Sequence, residues 1–113
     1  MGLDFAQSDA HWSYSGFNDF RRRLSFMLDF DLRSMVGFGG ERSWNAVPQD
    51  DILVLLNHSD CEGILSPAEC AVVGPRLREM VAPWPNDYDK KQALLLADGM
   101  DWCAENEHPL EFT

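Results

Sequence analysis

The chain has 113 residues, 45% hydrophobic and 12% aromatic, which suffices for one hydrophobic core and not for two. A net charge of -10 repels phosphate backbones and argues against a nucleic-acid binder, the run Arg21-Arg22-Arg23 being the one basic stretch. The cysteines, Cys61, Cys70 and Cys103, are odd in number and form no CxxC pair, which excludes a disulfide scaffold and a zinc ribbon.

The acid accumulates along the chain: residues 1–49 carry a net -1, residues 50–80 a net -4 and residues 81–113 a net -5. Such a surface favours solubility, a cation or a basic protein partner. The start, Met1-Gly2-Leu3-Asp4-Phe5, has neither a basic region nor an apolar run, so no leader is expected. The longest apolar run, Ile52 to Leu56, is far short of a membrane span. The expected setting is a reducing cytoplasm, with residues 1–113 as a single domain.

Leu3-Asp4-Phe5 and Leu110-Glu111-Phe112 both alternate apolar and acidic, which predicts a two-stranded ribbon joining the termini. A first helix is expected from Gly16 with Ser15 as its cap; Phe17, Phe20, Leu24, Met27 and Leu28 make its apolar stripe, and the three arginines fall mostly off it. Gly37, Gly39 and Gly40 break the pattern. A second helix is expected from Pro48 to Asn57, with Asp50 and Asp51 at its positive end. Ser66-Pro67-Ala68-Glu69 is a capping box with proline in the first turn, and it starts a third helix that Gly74-Pro75 should kink or break. Asn86 is the expected cap of a fourth helix, which Pro109 closes. The predicted fold is mainly α: an irregular bundle of about four helices with the small ribbon attached.

Between the second and third helices lies His58-Ser59-Asp60-Cys61-Glu62-Gly63. With Gly63 at position six of a calcium loop, His58, Asp60, Glu62, the Ile64 carbonyl, Ser66 and Glu69 fall at positions one, three, five, seven, nine and twelve, and Leu65 supplies the aliphatic at eight. Pro48 to Met80 therefore resembles a degenerate EF-hand, which implies calcium as the possible cofactor. Histidine replaces the acid that normally opens such a loop, Pro75 falls early in the outgoing helix, and no second loop is present. The competing reading is structural, since the capping box by itself accounts for Ser66 and Glu69. Met1 to Phe5, Ser13 to Phe17 leading to Phe20-Arg21, and His58 to Gly63 also resemble a group of small uncharacterised bacterial and phage proteins. That likeness implies a bacterial or phage origin and no chemistry.

His11, Trp12, Tyr14 and Phe17 crowd the start of the first helix and could join His58, Asp60 and Glu62 in a pocket holding a His/carboxylate acid–base pair, or form a core-edge aromatic cluster. Cys61 beside His58 lacks an orienting third group, so no nucleophile is assigned. Arg21 and Arg22, with Arg23, could grip a phosphate or pair with acids of their own chain. Trp44 and Trp84 are core anchors or interface residues. The expected function is a small acidic binding protein, an inhibitor or immunity-type protein for a basic protein partner. The alternatives are calcium binding through residues 58–69 and a small hydrolase built on His11, His58 and Asp60. No catalytic residue is assigned.

Overall fold

The computed structural model describes residues 2–113. Among the described residues, four α-helices accompany a four-stranded antiparallel sheet, which corrects the expected mainly α bundle with a two-stranded ribbon to an α/β domain. The strands are β1 (Leu3–Phe5), β2 (Ser8–Trp12), β3 (Gly63–Leu65) and β4 (Leu110–Phe112), in spatial order β2-β1-β4-β3. The terminal ribbon exists, with Phe5 opposite Phe112, but it is only the centre of the sheet. On one side β2 folds back on β1, pairing Leu3 with Trp12 and Asp4 with His11. On the other, β3 pairs Leu65 with Leu110 and Gly63 with Phe112.

The helices are α1 (Tyr14–Met27), α2 (Leu53–Leu56), α3 (Pro67–Val81) and α4 (Tyr88–Glu105). The caps are Ser13, whose hydroxyl accepts from the Gly16 amide, and Asp87, whose carboxylate accepts from the Lys90 amide; Ser15 and Asn86 are not the caps. The second helix is a single turn, with Asp50 Oδ1 accepting from the Ile52 amide ahead of it. The capping box at α3 forms as expected: Ser66 Oγ accepts from the Glu69 amide at 3.1 Å and Glu69 Oε1 from the Ser66 amide at 2.8 Å. Pro75 does not break α3. Pro75 and Ala71, whose carbonyl loses its partner, both lie on the exposed side, so the freed carbonyl faces solvent and not the core.

The inner face of the sheet packs on α1 through aromatic rings. Phe5 meets Phe112 edge-on at 4.9 Å, and Trp12 stacks on Phe20 at 4.6 Å. The outer edge of β2 is closed by α4: Gln92 Oε1 accepts from the His11 amide at 2.9 Å, and the Tyr88 hydroxyl donates to the His11 carbonyl at 2.5 Å. Close approach of α4 to the β1–β2 turn requires Gly99, where an added Cβ would stand 2.6 Å from Ser8 Cβ and 2.7 Å from the Gln7 carbonyl.

A cleft between the first helix and the 58–60 loop

Arg21 organises this region. It follows Phe17 by one turn and lies on the inner face of α1, 1% exposed, which corrects its placement off the apolar stripe. Its guanidinium lies over the Phe17 ring at 4.6 Å and the Phe38 ring at 5.1 Å. Nη1 donates to the Leu56 carbonyl at 3.4 Å and to the His58 carbonyl, which places a cation at the carbonyl end of α2. Nη2 donates to Asn18 Oδ1 at 2.5 Å, and Asn18 Nδ2 donates in turn to Asp60 Oδ2 at 3.3 Å. The carboxylate is reached only through this amide. Arg21 Nε is buried and has no partner among the described residues. Burial lowers the guanidinium pKa to about 10, and the nearby Asp60 charge opposes that shift. Arg21 is cationic at neutral pH.

The arginine triplet is divided, because successive helical residues point about 100° apart. Arg23 turns to the start of α4, where Nη1 donates to Asp87 Oδ2 at 3.1 Å and Asp89 Oδ2 at 2.8 Å, while its guanidinium covers Trp84 at 3.9 Å. Arg22 faces sideways. Its Nη1 lies 3.5 Å from Asp19 Oδ1, and its Nε is buried and unpartnered among the described residues.

A cleft of about 570 Å³ opens here between α1, the 32–38 segment and the 57–60 loop. Arg21, Arg22 and Arg33 line it, with Asp19 and Asp60 as the two carboxylates. Leu32 and Phe38 give it an apolar wall, and Asn18, Asn57, Ser15 and Ser59 supply neutral polar groups. Gly37 at φ 90 and Gly39 at φ 99 permit the tight turn that carries Phe38 onto Arg21.

The polar groups of the loop are engaged within the chain. His58 Nε2 meets the Ile64 carbonyl at 2.8 Å and Nδ1 the Ser59 carbonyl at 2.9 Å, and the imidazole stacks on Phe112 at 3.9 Å. Of the six positions in calcium register, Ser66 and Glu69 serve the helix cap, Asp60 holds Asn18, and His58 occupies the Ile64 carbonyl. Glu62 is exposed. Among the described residues, no group of three or more His, Cys, Asp or Glu side chains could hold a metal ion.

The other sequence candidates are dispersed. His11 Nδ1 pairs with Asp4 Oδ1 at 2.7 Å on the sheet, and the cleft that holds His58 and Asp60 is not lined by His11. Trp12 is core, 1% exposed, and donates to Asp89 Oδ1 at 3.1 Å; Tyr14 is exposed. Trp44 donates to the Val36 carbonyl at 3.0 Å and packs edge-on to Phe30 and Phe38, and Trp84 packs edge-on to Phe20. Both are half-buried anchors at the rim of the core. Burial pushes the Cys70 thiol up to about 12, so it is not a nucleophile at neutral pH.

Sequence reasoning missed a second concave face. The β1–β2 turn and α4 frame a cleft of about 540 Å³ lined by Asp9, Asp98, Leu95 and Trp102. Trp102 is 48% exposed. Its position opposite Met100 and Cys103 on α4 carried the signal, since a tryptophan on the polar side of an amphipathic helix is exposed by geometry.

Comparison of the chain with protein-family models, with curated proteins and with solved structures returned no match. Among the described residues no helix is long and apolar enough to cross a membrane.

Proposed function

We propose that this chain is a small acidic binding protein, of inhibitor or immunity type, whose partner is a basic protein docking on the face around Trp102. The observation that carries the reading is an indole left 48% exposed in a cleft flanked by Asp9 and Asp98. Aromatic anchors ringed by charge are the residues on which binding energy concentrates. The charge balance supports it. Five arginines are engaged in internal ion pairs, namely Arg22, Arg23, Arg33, Arg76 and Arg78. Asp9, Glu105 and Glu107 have no cationic partner among the described residues, and all three are exposed. On the Trp102 face Asp98 is paired with Arg78, and Asp9 is the flanking acid left free for a partner's lysine or arginine, which speeds encounter and selects sign. The reading places the protein in a reducing cytoplasm, supported by three free thiols.

A pull-down at low and high salt tests the proposal. The expected result is a basic protein retained at low salt, released at high salt, and lost to both Trp102→Ala and Asp9→Lys. Retained proteins indifferent to salt and to both substitutions would overturn it.

A further inference from the structure

We propose that the cleft beside Arg21 binds a small phosphomonoester on a hydroxylated skeleton, a sugar phosphate or nucleoside monophosphate. This site is separate from the Trp102 face and is lined by three arginines.

Three of the nine basic side chains of a strongly acidic chain line one cleft. Arg21 is the central observation. It is 1% exposed, and its hydrogen bonds run to two carbonyls and an amide oxygen, with no carboxylate in direct contact. A buried cation without a counter-ion is costly, and an anion in the adjoining cleft offsets that cost. The buried Nε of Arg22 is likewise unpartnered among the described residues. At the rim, half-buried Arg22 meets exposed Asp19 at a loose 3.5 Å, and exposed Arg33 donates from Nη2 and Nε to Asp31 two residues away. Such local pairs contribute little, and a phosphate dianion competes for the same guanidinium groups.

The rest of the cleft limits the ligand. Its volume of about 570 Å³ exceeds what bare phosphate needs and lies in the range of small-molecule sites. Leu32 and Phe38 offer an apolar wall, and Asn57 offers an amide. Asp60 is acceptor-only, so it suits hydroxyl donors and opposes a second phosphate. The three arginines stand against Asp19 and Asp60 in the lining and Asp31 on Arg33, a balance that suits one phosphate and opposes a polyphosphate.

The test is a titration followed by amide NMR, with adenosine 5′-monophosphate, ribose 5-phosphate, inorganic phosphate and adenosine. At least one ester is expected to shift the resonances of Asn18, Asn57 and Ser59 saturably, with Kd about 1 mM or tighter. Inorganic phosphate should bind more weakly and adenosine not at all. Arg22→Gln and Arg33→Gln should each weaken the ester about tenfold, the size of one charge-assisted pair. Arg42→Gln, outside the cleft, should change nothing. These variants alter exposed or half-exposed side chains, and thermal melts check that they fold. Absence of saturable shifts at the cleft, equal affinity in Arg22→Gln and Arg33→Gln, or inorganic phosphate binding as tightly as both esters would each overturn the proposal.

Discussion

Arg21→Met removes the buried cation at nearly constant side-chain length. Three acceptors lose their donor: the carbonyls of Leu56 and His58 and the side-chain oxygen of Asn18. The Leu56 bond is buried, and a buried acceptor left unpaired costs about 1–3 kcal/mol; the other two are part-buried and cost less, because water can reach them. Loss of the guanidinium over Phe17 and Phe38 adds about 0.5–1 kcal/mol per ring. Relief from burying a charge without a carboxylate in contact works the other way by several kcal/mol. The balance is a net loss of about 2–4 kcal/mol, a large share of the stability of a domain of this size. Urea unfolding followed by tryptophan fluorescence measures it, with Asn18→Ala and the double variant completing a cycle. The two sites share one hydrogen bond, so their effects should couple by about 1 kcal/mol. A loss below about 1 kcal/mol for Arg21→Met, or strict additivity with Asn18→Ala, would refute the view that Arg21 fastens the loop to α1.

Two further outcomes are expected. Asp50 is held below the ordinary carboxylate range, chiefly because the Arg76 guanidinium donates to it, with Nη2 at 2.8 Å from Oδ2. A carboxylate depressed in the folded state contributes stability that is complete above its unfolded pKa of about 3.9 and fades as pH falls through the lower folded value. Asp50→Asn should therefore flatten the acid limb of stability against pH, and parallel curves for wild type and variant would end that account. Calcium calorimetry at about 1 mM should give no heat, since Glu69 is committed to the Ser66 amide and His58 to the Ile64 carbonyl. Glu69→Gln keeps an acceptor for the Ser66 amide and loses only the charge at the helix start, so it should cost about 0.3–1 kcal/mol whether or not calcium is present, and a calcium heat that this variant abolishes would reverse the reading.

Features written in local chemistry were legible. The Ser66 to Glu69 capping box formed atom for atom because hydroxyl, proline and carboxylate each act within one turn. The ribbon between Leu3–Phe5 and Leu110–Phe112 was legible as alternation, but its neighbours were not. The β2 segment Ser8-Asp9-Ala10-His11-Trp12 has no β-branched residue, and only Ala10 and Trp12 alternate inward. Only three residues long, β3 lies inside the stretch that the calcium register claimed. Tertiary pairing makes both strands. The arginine triplet misled for a similar reason. Periodicity sorts residues by hydropathy, and an arginine is rarely buried unless paired. The signal was there: Phe17, Arg21 and Ser25 recur every four residues and all three are buried on one face.

The use of the arginines separates fold from function. Arg23 ties α1 to the start of α4, Arg76 ties α3 to the turn before α2, and Arg78 ties α3 to α4 through Asp98 and Asp101. Each bridges elements far apart in sequence, where a chain of net charge -10 would otherwise hold like-charged surfaces together. Arg22 and Arg33 do nothing of the kind. Their partners are three and two residues away, in positions the local backbone already fixes. A cation that joins no two elements adds little to stability, since an exposed local pair contributes at most about 1 kcal/mol. Yet these two residues, with the buried Arg21 behind them, border the same cleft. In a chain short of positive charge, that placement is better explained by an anion in the cleft than by the fold.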